Sequence, residues 1–523
     1  MRSSRPFRYE RSALFIAGLL LTAVTAPAQT VTVSTWHNDN LRDGQNTHET
    51  ILTTSNVKST TFGKLFSYTV DGEIYAQPLY IPKVSISGGT HNVIYVATEN
   101  DSVYAFDADG LSTTPLWQKS LLLNGGTAVP CGNTGACAVN PIVGITGTPV
   151  INSSTGTLYV VAFDEESANY FYRVHALDIT TGNEKFGGPV LIQASVSGTG
   201  VGSVGGIVTF APIHEMQRPG LLMLDGLIFI GFGSFGDVDP YHGWVMSYNA
   251  ATLAQVSVFN TSPNGTRAAV WGSGGALSGD SAGNLYVMTS NGTFDASTGG
   301  LDYGDSFLKM NPNNLTVTDY FTPDNQATLE TDDLDLGSGT GLVPAKQSGS
   351  FPDEIIGAGK QGLIYLVDGD ALGGYDPNAN HNIQTVTGAA GGYTNSAAYW
   401  NGAVYYSGVK DFLSRYTLKS GKLSTAPVSK ASKKFNIGST PSISANGSSN
   451  GIVWAIDAGG GLGSIPAVLH AYNAGNVSTE LYNTSQAGSR DTPGAGIKFS
   501  TPTIANGKVY IGTFTELDVY GLL

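Results

Sequence analysis

The chain predicts an all-β fold, an eight-bladed β-propeller of four-stranded antiparallel blades. Three observations point there. An apolar, often aromatic strand followed by Asp, Asn or Thr and a turn recurs along the sequence: Val103-Tyr104-Ala105-Phe106-Asp107, Val174-His175-Ala176-Leu177-Asp178, Val245-Met246-Ser247-Tyr248-Asn249, Phe307-Leu308-Lys309-Met310-Asn311, Ile364-Tyr365-Leu366-Val367-Asp368, Leu413-Ser414-Arg415-Tyr416-Thr417, Leu469-His470-Ala471-Tyr472-Asn473 and Leu517-Asp518-Val519-Tyr520. Successive copies lie roughly 50 to 70 residues apart, the spacing of blades rather than of helical repeats. Only 13% of residues are charged while Gly occurs 68 times, a balance that suits strands and tight turns. Finally, the last unit stops after its third strand at Leu523, and the extended run Gly63-Lys64-Leu65-Phe66-Ser67-Tyr68-Thr69-Val70 precedes the first complete unit. Pairing these two ends closes the ring, removes an exposed sheet edge and brings the count to eight.

Each unit reads as strands separated by Gly, Asn, Asp or Pro turns. First strands follow Thr-Pro steps, as in Thr148-Pro149-Val150-Ile151, Thr440-Pro441-Ser442-Ile443 and Thr501-Pro502-Thr503-Ile504. Second strands are apolar, as in Thr157-Leu158-Tyr159-Val160-Val161, Asn284-Leu285-Tyr286-Val287-Met288 and Lys508-Val509-Tyr510-Ile511-Gly512. The recurring phrase is the third strand, and a more polar fourth follows, as in Pro115-Leu116-Trp117-Gln118-Lys119. The expected organisation is a leader at 1–28, an N-terminal extension at 29–60 and the propeller at 61–523. Between the fourth and fifth units, the stretches 291–305 and 322–344 are long and rich in Gly and Asp, and long loops on a rigid ring are where binding or chemistry usually sits.

Arg2, Arg5, Arg8 and Arg11 precede an apolar run over residues 13–26 and the small residues Ala26-Pro27-Ala28, the pattern of a cleaved secretory signal, too short for a membrane span. A periplasmic or extracellular protein is expected. The net charge of −14, more negative still once four leader arginines and one glutamate are lost, argues against nucleic acid as a partner. Cys131 and Cys137 are the only cysteines, and in an oxidising compartment they are expected to pair across a small loop.

The segments Ala269-Val270-Trp271-Gly272-Ser273 and Thr289-Ser290-Asn291-Gly292, then Asp333-Leu334-Asp335-Leu336-Gly337, then Gly359-Lys360-Gln361-Gly362, occur in that order. With the repeats, they resemble the quinoprotein alcohol dehydrogenases, whose eight-bladed propeller holds pyrroloquinoline quinone (PQQ) and calcium in a central funnel. The resemblance covers the ring loosely and is sharpest over residues 231–368. It implies that Trp271 stacks on the flat quinone, since a planar tricyclic group wants a broad aromatic floor. It implies that the amide oxygen of Asn291 coordinates calcium, a cation that takes hard oxygen ligands. Asp335 would be both the base that accepts a hydroxyl proton and a calcium neighbour, and Lys360 the cation that polarises the quinone carbonyl. Where the family carries a calcium-binding Glu, this chain has Gly236-Asp237-Val238-Asp239, leaving Asp237 or Asp239 as substitutes. Cys131 and Cys137 stand where relatives have adjacent cysteines over the quinone, but five residues separate them, so the loop could roof the funnel without forming the same small ring.

Read without the resemblance, Trp271 is core packing, Asn291 a turn residue, Lys360 a surface lysine, and the loop carrying Glu330, Asp332, Asp333 and Asp335 a solvated acidic turn or structural calcium loop. Two functions therefore stand side by side. One is a dehydrogenase using PQQ and calcium to oxidise an alcohol or sugar hydroxyl, delivering electrons to an external acceptor because no Cys-x-x-Cys-His haem motif occurs. The other is a non-catalytic propeller binding proteins or glycans through aromatics such as Tyr241, Trp244, Tyr393 and Trp400, since a propeller fold alone never implies catalysis.

Overall fold

A computed structural model describes residues 31–523, besides Met1 and Ser4. The apolar run and cut site expected of a leader lie outside the described residues. Eight blades follow one another round a ring, mainly four-stranded and antiparallel. Blade 1 runs outward as Leu79–Ile86, Gly89–Ala97, Ser102–Asp107 and Trp117–Ser120. Blade 8 takes Thr503–Ala505, Lys508–Gly512 and Glu516–Leu522 from the C-terminus, and its outer strand is Phe62–Thr69. Phe62 stands opposite Leu522 and Thr69 opposite Glu516, so the ring closes as the sequence predicts. No helix among the described residues is long and apolar enough to cross a membrane.

The recurring phrase has two physical causes. At the end of the third strand, the side chain of Asp107, Asp178, Asn249, Asn311, Asp368 or Asn473 accepts the N–H two residues on, at 2.8–3.0 Å, which turns the chain toward the outer strand. The carbonyl just after that turn then serves as a docking point for the previous blade. Tyr95 donates to Ile179 O at 3.0 Å, Tyr159 to Ala250 O at 2.7 Å, Tyr405 to Ala474 O at 2.8 Å and Tyr510 to Ala108 O at 3.0 Å. Each tyrosine lies on a second strand, buried between two blades, so its hydroxyl must find a partner there. Trp117 reinforces the first of these joints by donating to Ile179 O at 2.9 Å. Tyrosines thus lock these blades to their neighbours.

Blade 5 is the least regular. Only Glu354–Ala358, Leu363–Asp368 and Gln384–Thr387 form its sheet, and its inner strand shrinks to a single bridge between Leu342 and Ile356. The preceding linker carries a short helix, Gln326–Thr331, and a 3₁₀ turn, Leu336–Ser338.

Residues 33–46, expected to belong to an extension ahead of the propeller, thread its hub and bond to every inner strand. Val33 pairs with Tyr80 of blade 1, Ser34 O takes the N–H of Ile151 in blade 2, and Asn40 reaches Met223 O in blade 3. Asn40 O, Leu41 O and Asp43 O then receive Gly279, Val343 and Tyr399 of blades 4, 5 and 6. Gln45–Asn46 runs parallel to the inner strand of blade 7, and the Asn46 amide donates to Ile504 O of blade 8. Trp36 and His37 stack at the centre, 4.1 Å apart.

Candidate functional site

The linkers entering each inner strand, and the turns joining second to third strands, converge at the other end of the hub. Three of them build one cluster. Asn291 sits on the turn after Leu285–Met288 of blade 4, Asp335 just ahead of the 3₁₀ turn Leu336–Ser338, and Lys360 on the turn after Glu354–Ala358 of blade 5. Lys360 N donates to Asp335 O at 3.0 Å, an approach that requires Gly359, where a Cβ would meet Asp335 O at 2.3 Å. The Lys360 ammonium then lies 2.6 Å from Asp335 Oδ2 and 2.8 Å from Asp333 Oδ1. The other Asp335 oxygen accepts the Asn291 N–H at 3.1 Å. Asp335 and Asn291 are 6% and 2% exposed, and Asn291 Oδ1 has no hydrogen-bond partner.

These positions set the protonation behaviour. Burial pushes the Asp335 pKa above the ordinary carboxylate range, and Lys360 pulls against that without cancelling it. Burial opposes the charge on Lys360 in turn, but the Asp335 and Asp333 carboxylates outweigh it and raise its pKa. The result is a carboxyl that binds a proton more readily than usual, beside an ammonium that stays charged.

The two substitute calcium ligands part company. Asp237 lies close enough to raise the Asp335 pKa further, and its Oδ1 accepts the hydroxyls of Ser234 at 2.9 Å and Tyr241 at 2.8 Å. Asp239 is instead held at two points by the Arg267 guanidinium, at 3.2 and 2.8 Å, on an exposed side chain. The disulfide forms, and its loop packs on the same region: Gly135 faces Val238 and Gly236 faces Ala136. Cys131 and Cys137 thus belong to a lobe beside Asp237. Tyr241, Trp244, Tyr393 and Trp400 are all buried, so none offers a surface to a glycan or protein.

Trp271 is half-buried, packed on Gly233 and edge-to-face with Phe499 at 5.4 Å. It heads a sharply turned stretch in which Gly272, Ser273 and Gly274 all have left-handed φ, and a Cβ at Gly274 would meet Arg218 Nη1 at 2.4 Å. Motif reading assigned no role to four hub residues: Arg218, Asn395, Lys498 and Phe499. Arg218 lies 5.5 Å from the ring centres of Tyr75 and Phe499, and Lys498 lies 5.5 Å from that of Phe499. Neither Asn395 side-chain atom has a partner, although the residue is 1% exposed. The signal available was positional, since all four lie in the linkers that lead into inner strands.

Among the described residues, no three His, Cys, Asp or Glu side chains gather as a metal site. The donor set still suits a hard cation in kind, because Asn291, whose backbone N–H binds Asp335, has an unpartnered side-chain oxygen, with Asp237 near Asp335. The half-exposed Trp271 face and the flanking cations suit a planar anionic group.

No protein-family model and no curated protein matches the chain. Solved structures do. The quinohemoprotein alcohol dehydrogenase from Comamonas testosteroni superposes with a TM-score of 0.61 at 14% identity, over 95% of this chain and 81% of that one. A quinohemoprotein alcohol dehydrogenase from Pseudomonas putida HK5 gives 0.58 at 13%, over 94% and 80%. A europium-containing methanol dehydrogenase gives 0.62 at 13%, over 94% and 98%. The chain has the propeller fold of these quinoproteins.

Proposed function

We propose that the protein is an exported, PQQ-dependent dehydrogenase that oxidises the hydroxyl of an alcohol or sugar. One observation carries this reading: a buried carboxylate, Asp335, held between the Lys360 ammonium and the N–H of Asn291, whose side-chain oxygen has no partner. A buried acid with a raised pKa, next to a fixed cation, is an arrangement for moving a proton. Trp271 would floor the quinone, and Asn291 Oδ1 with the carboxylates of Asp335 and Asp237 would hold calcium. The quinone, when bound, supplies the acceptor for the two electrons and hydrogen leaving the substrate carbon.

The residues of this chain do the rest. Asp335, deprotonated, takes the hydroxyl proton on a side-chain oxygen. Lys360 keeps that carboxylate oriented and lowers the proton affinity that burial would otherwise impose. It also offers its charge to oxygen that becomes negative nearby. Electrons pass to a separate acceptor. The Cys131–Cys137 disulfide and the arginine-led apolar start support export.

The test is to add PQQ and calcium to purified protein, recording quinone absorbance and dye reduction across primary alcohols, secondary alcohols and sugars. Bound quinone with substrate-dependent reduction, lost in Asp335→Asn, is the expected result. Neither signal from the parent protein would sink the reading.

A further inference from the structure

Arg218 and Lys498 share one aromatic ring and have no carboxylate within ion-pair distance among the described residues. Arg218 is 2% exposed and its guanidinium has a single hydrogen bond, to Ser273 O at 3.3 Å. Burying a charge without a partner is costly, and setting a second cation against it costs more. Burial lowers the Arg218 pKa to about 10 against the pull of Tyr75 and Glu99, and burial and then Arg218 lower that of Lys498. The ring between them is itself constrained. Phe499 has φ +67°, a left-handed conformation that a bulky side chain adopts only when its surroundings impose it. Glu99, whose charge acts on Arg218, makes no ion pair with it: one oxygen accepts Gly144 N and Thr146 Oγ1, the other has no partner, and burial pushes its pKa up to about 8. The chain therefore concentrates positive charge at this wall of the hub while being acidic overall.

We infer that Arg218 and Lys498 form an anion-holding wall at the open end of the hub, which takes a carboxylate borne by a flat aromatic ligand seated beside Trp271. Arg218 supplies planar paired donors suited to a carboxylate, and Lys498, half-exposed, supplies a movable point charge. This inference deepens the quinone reading, since PQQ is a planar tricarboxylic acid, and in that case rests on it. It assigns recognition of the acid groups to a wall distinct from Asp335 and Lys360.

Three probes separate the two ideas: PQQ, its uncharged trimethyl ester, and benzene-1,3,5-tricarboxylate, which is flat, anionic and redox-inert. Binding is read by quenching of tryptophan fluorescence on the full protein, independently of turnover. Arg218→Met and Lys498→Gln are each expected to weaken PQQ about 10- to 100-fold, as for loss of a charge-assisted hydrogen bond, while leaving the ester unchanged. Lys498→Gln, on a half-exposed side chain, keeps the test valid should Arg218→Met fold poorly. PQQ binding equally tightly to parent and both variants overturns the wall and spares the quinone reading. Tricarboxylate binding that depends on Arg218, in a protein that ignores PQQ, upholds the wall and removes the quinone. A parent that binds none of the three overturns the wall.

Discussion

Each end of the hub buries one arginine, and the two are held in opposite ways. Arg42, 1% exposed, donates to Leu277 O, Thr35 Oγ1, Trp36 O and Asp39 O at 2.8–2.9 Å, so its charge is spent on stitching residues 33–46 to the ring. Arg218 makes one long bond and otherwise lies against two aromatic rings. At the closed end the Nε and Nη1 of the Arg42 guanidinium are bonded and Nη2 alone lacks a partner. At the open end Asn291 Oδ1, both Asn395 side-chain atoms and Glu99 Oε1 are buried without partners. Unmet hydrogen-bonding capacity costs stability, and both ends carry some; what differs is that Arg42 is held by four bonds and Arg218 by one.

The contrast breaks most sharply at Asp335. Asp335→Asn should lower the turnover of quinone-loaded protein by about 10²–10⁴-fold while leaving the thermal midpoint close to the parent; equal losses of both would make Asp335 a structural residue. Its pH profile sharpens the point. Asp335 must be deprotonated to act, so rate rises with pH through its raised pKa, and Lys360→Gln, which removes the cation holding that pKa down, should move the rise to higher pH. A limb that stays in place, or moves down, contradicts the assignment.

At the closed end the expected loss is one of stability. Arg42→Met strands the carbonyls of Leu277, Trp36 and Asp39 and should cost about 3 kcal/mol in denaturant unfolding. Replacing Cys131 and Cys137 by Ser releases a short loop, worth about 2 kcal/mol by the same measurement, and any drop in quinone affinity would tie the Asp237 lobe to the open end. Least of all, Tyr510→Phe removes one blade-to-blade bond and should cost about 1 kcal/mol; a loss several times larger would mean that ring closure, and not the hub, dominates stability.

The repeat made the ring readable, since every third strand from Ser102–Asp107 to Glu516–Leu522 coincides with a copy of the phrase, and the closure by Phe62–Thr69 follows from an unfinished last unit. Within the site, the order Trp271, Asn291, Asp335, Lys360 was readable because each lies in a local motif, and the structure joins the last three by direct bonds. Asp237 and Asp239 were indistinguishable in sequence, because the partner that separates them, Arg267, is 28 residues from Asp239. Residues 33–46 escaped notice because they have no strand pattern of their own and borrow all of it from eight distant strands. Arg218 and Lys498 escaped because nothing local distinguishes a cation waiting for an anion from one on the surface.

The threaded hub also dictates an order of events in time. Trp36 finds Thr501 across 465 positions and His37 finds Pro441 across 404, so the stretch gains its last partners only when the final blades exist. Such remote pairings fold slowly. Losing the last blade would therefore undo the axle and the rim together, and quality control acting on an unfinished chain would meet an open wheel with its spindle hanging free.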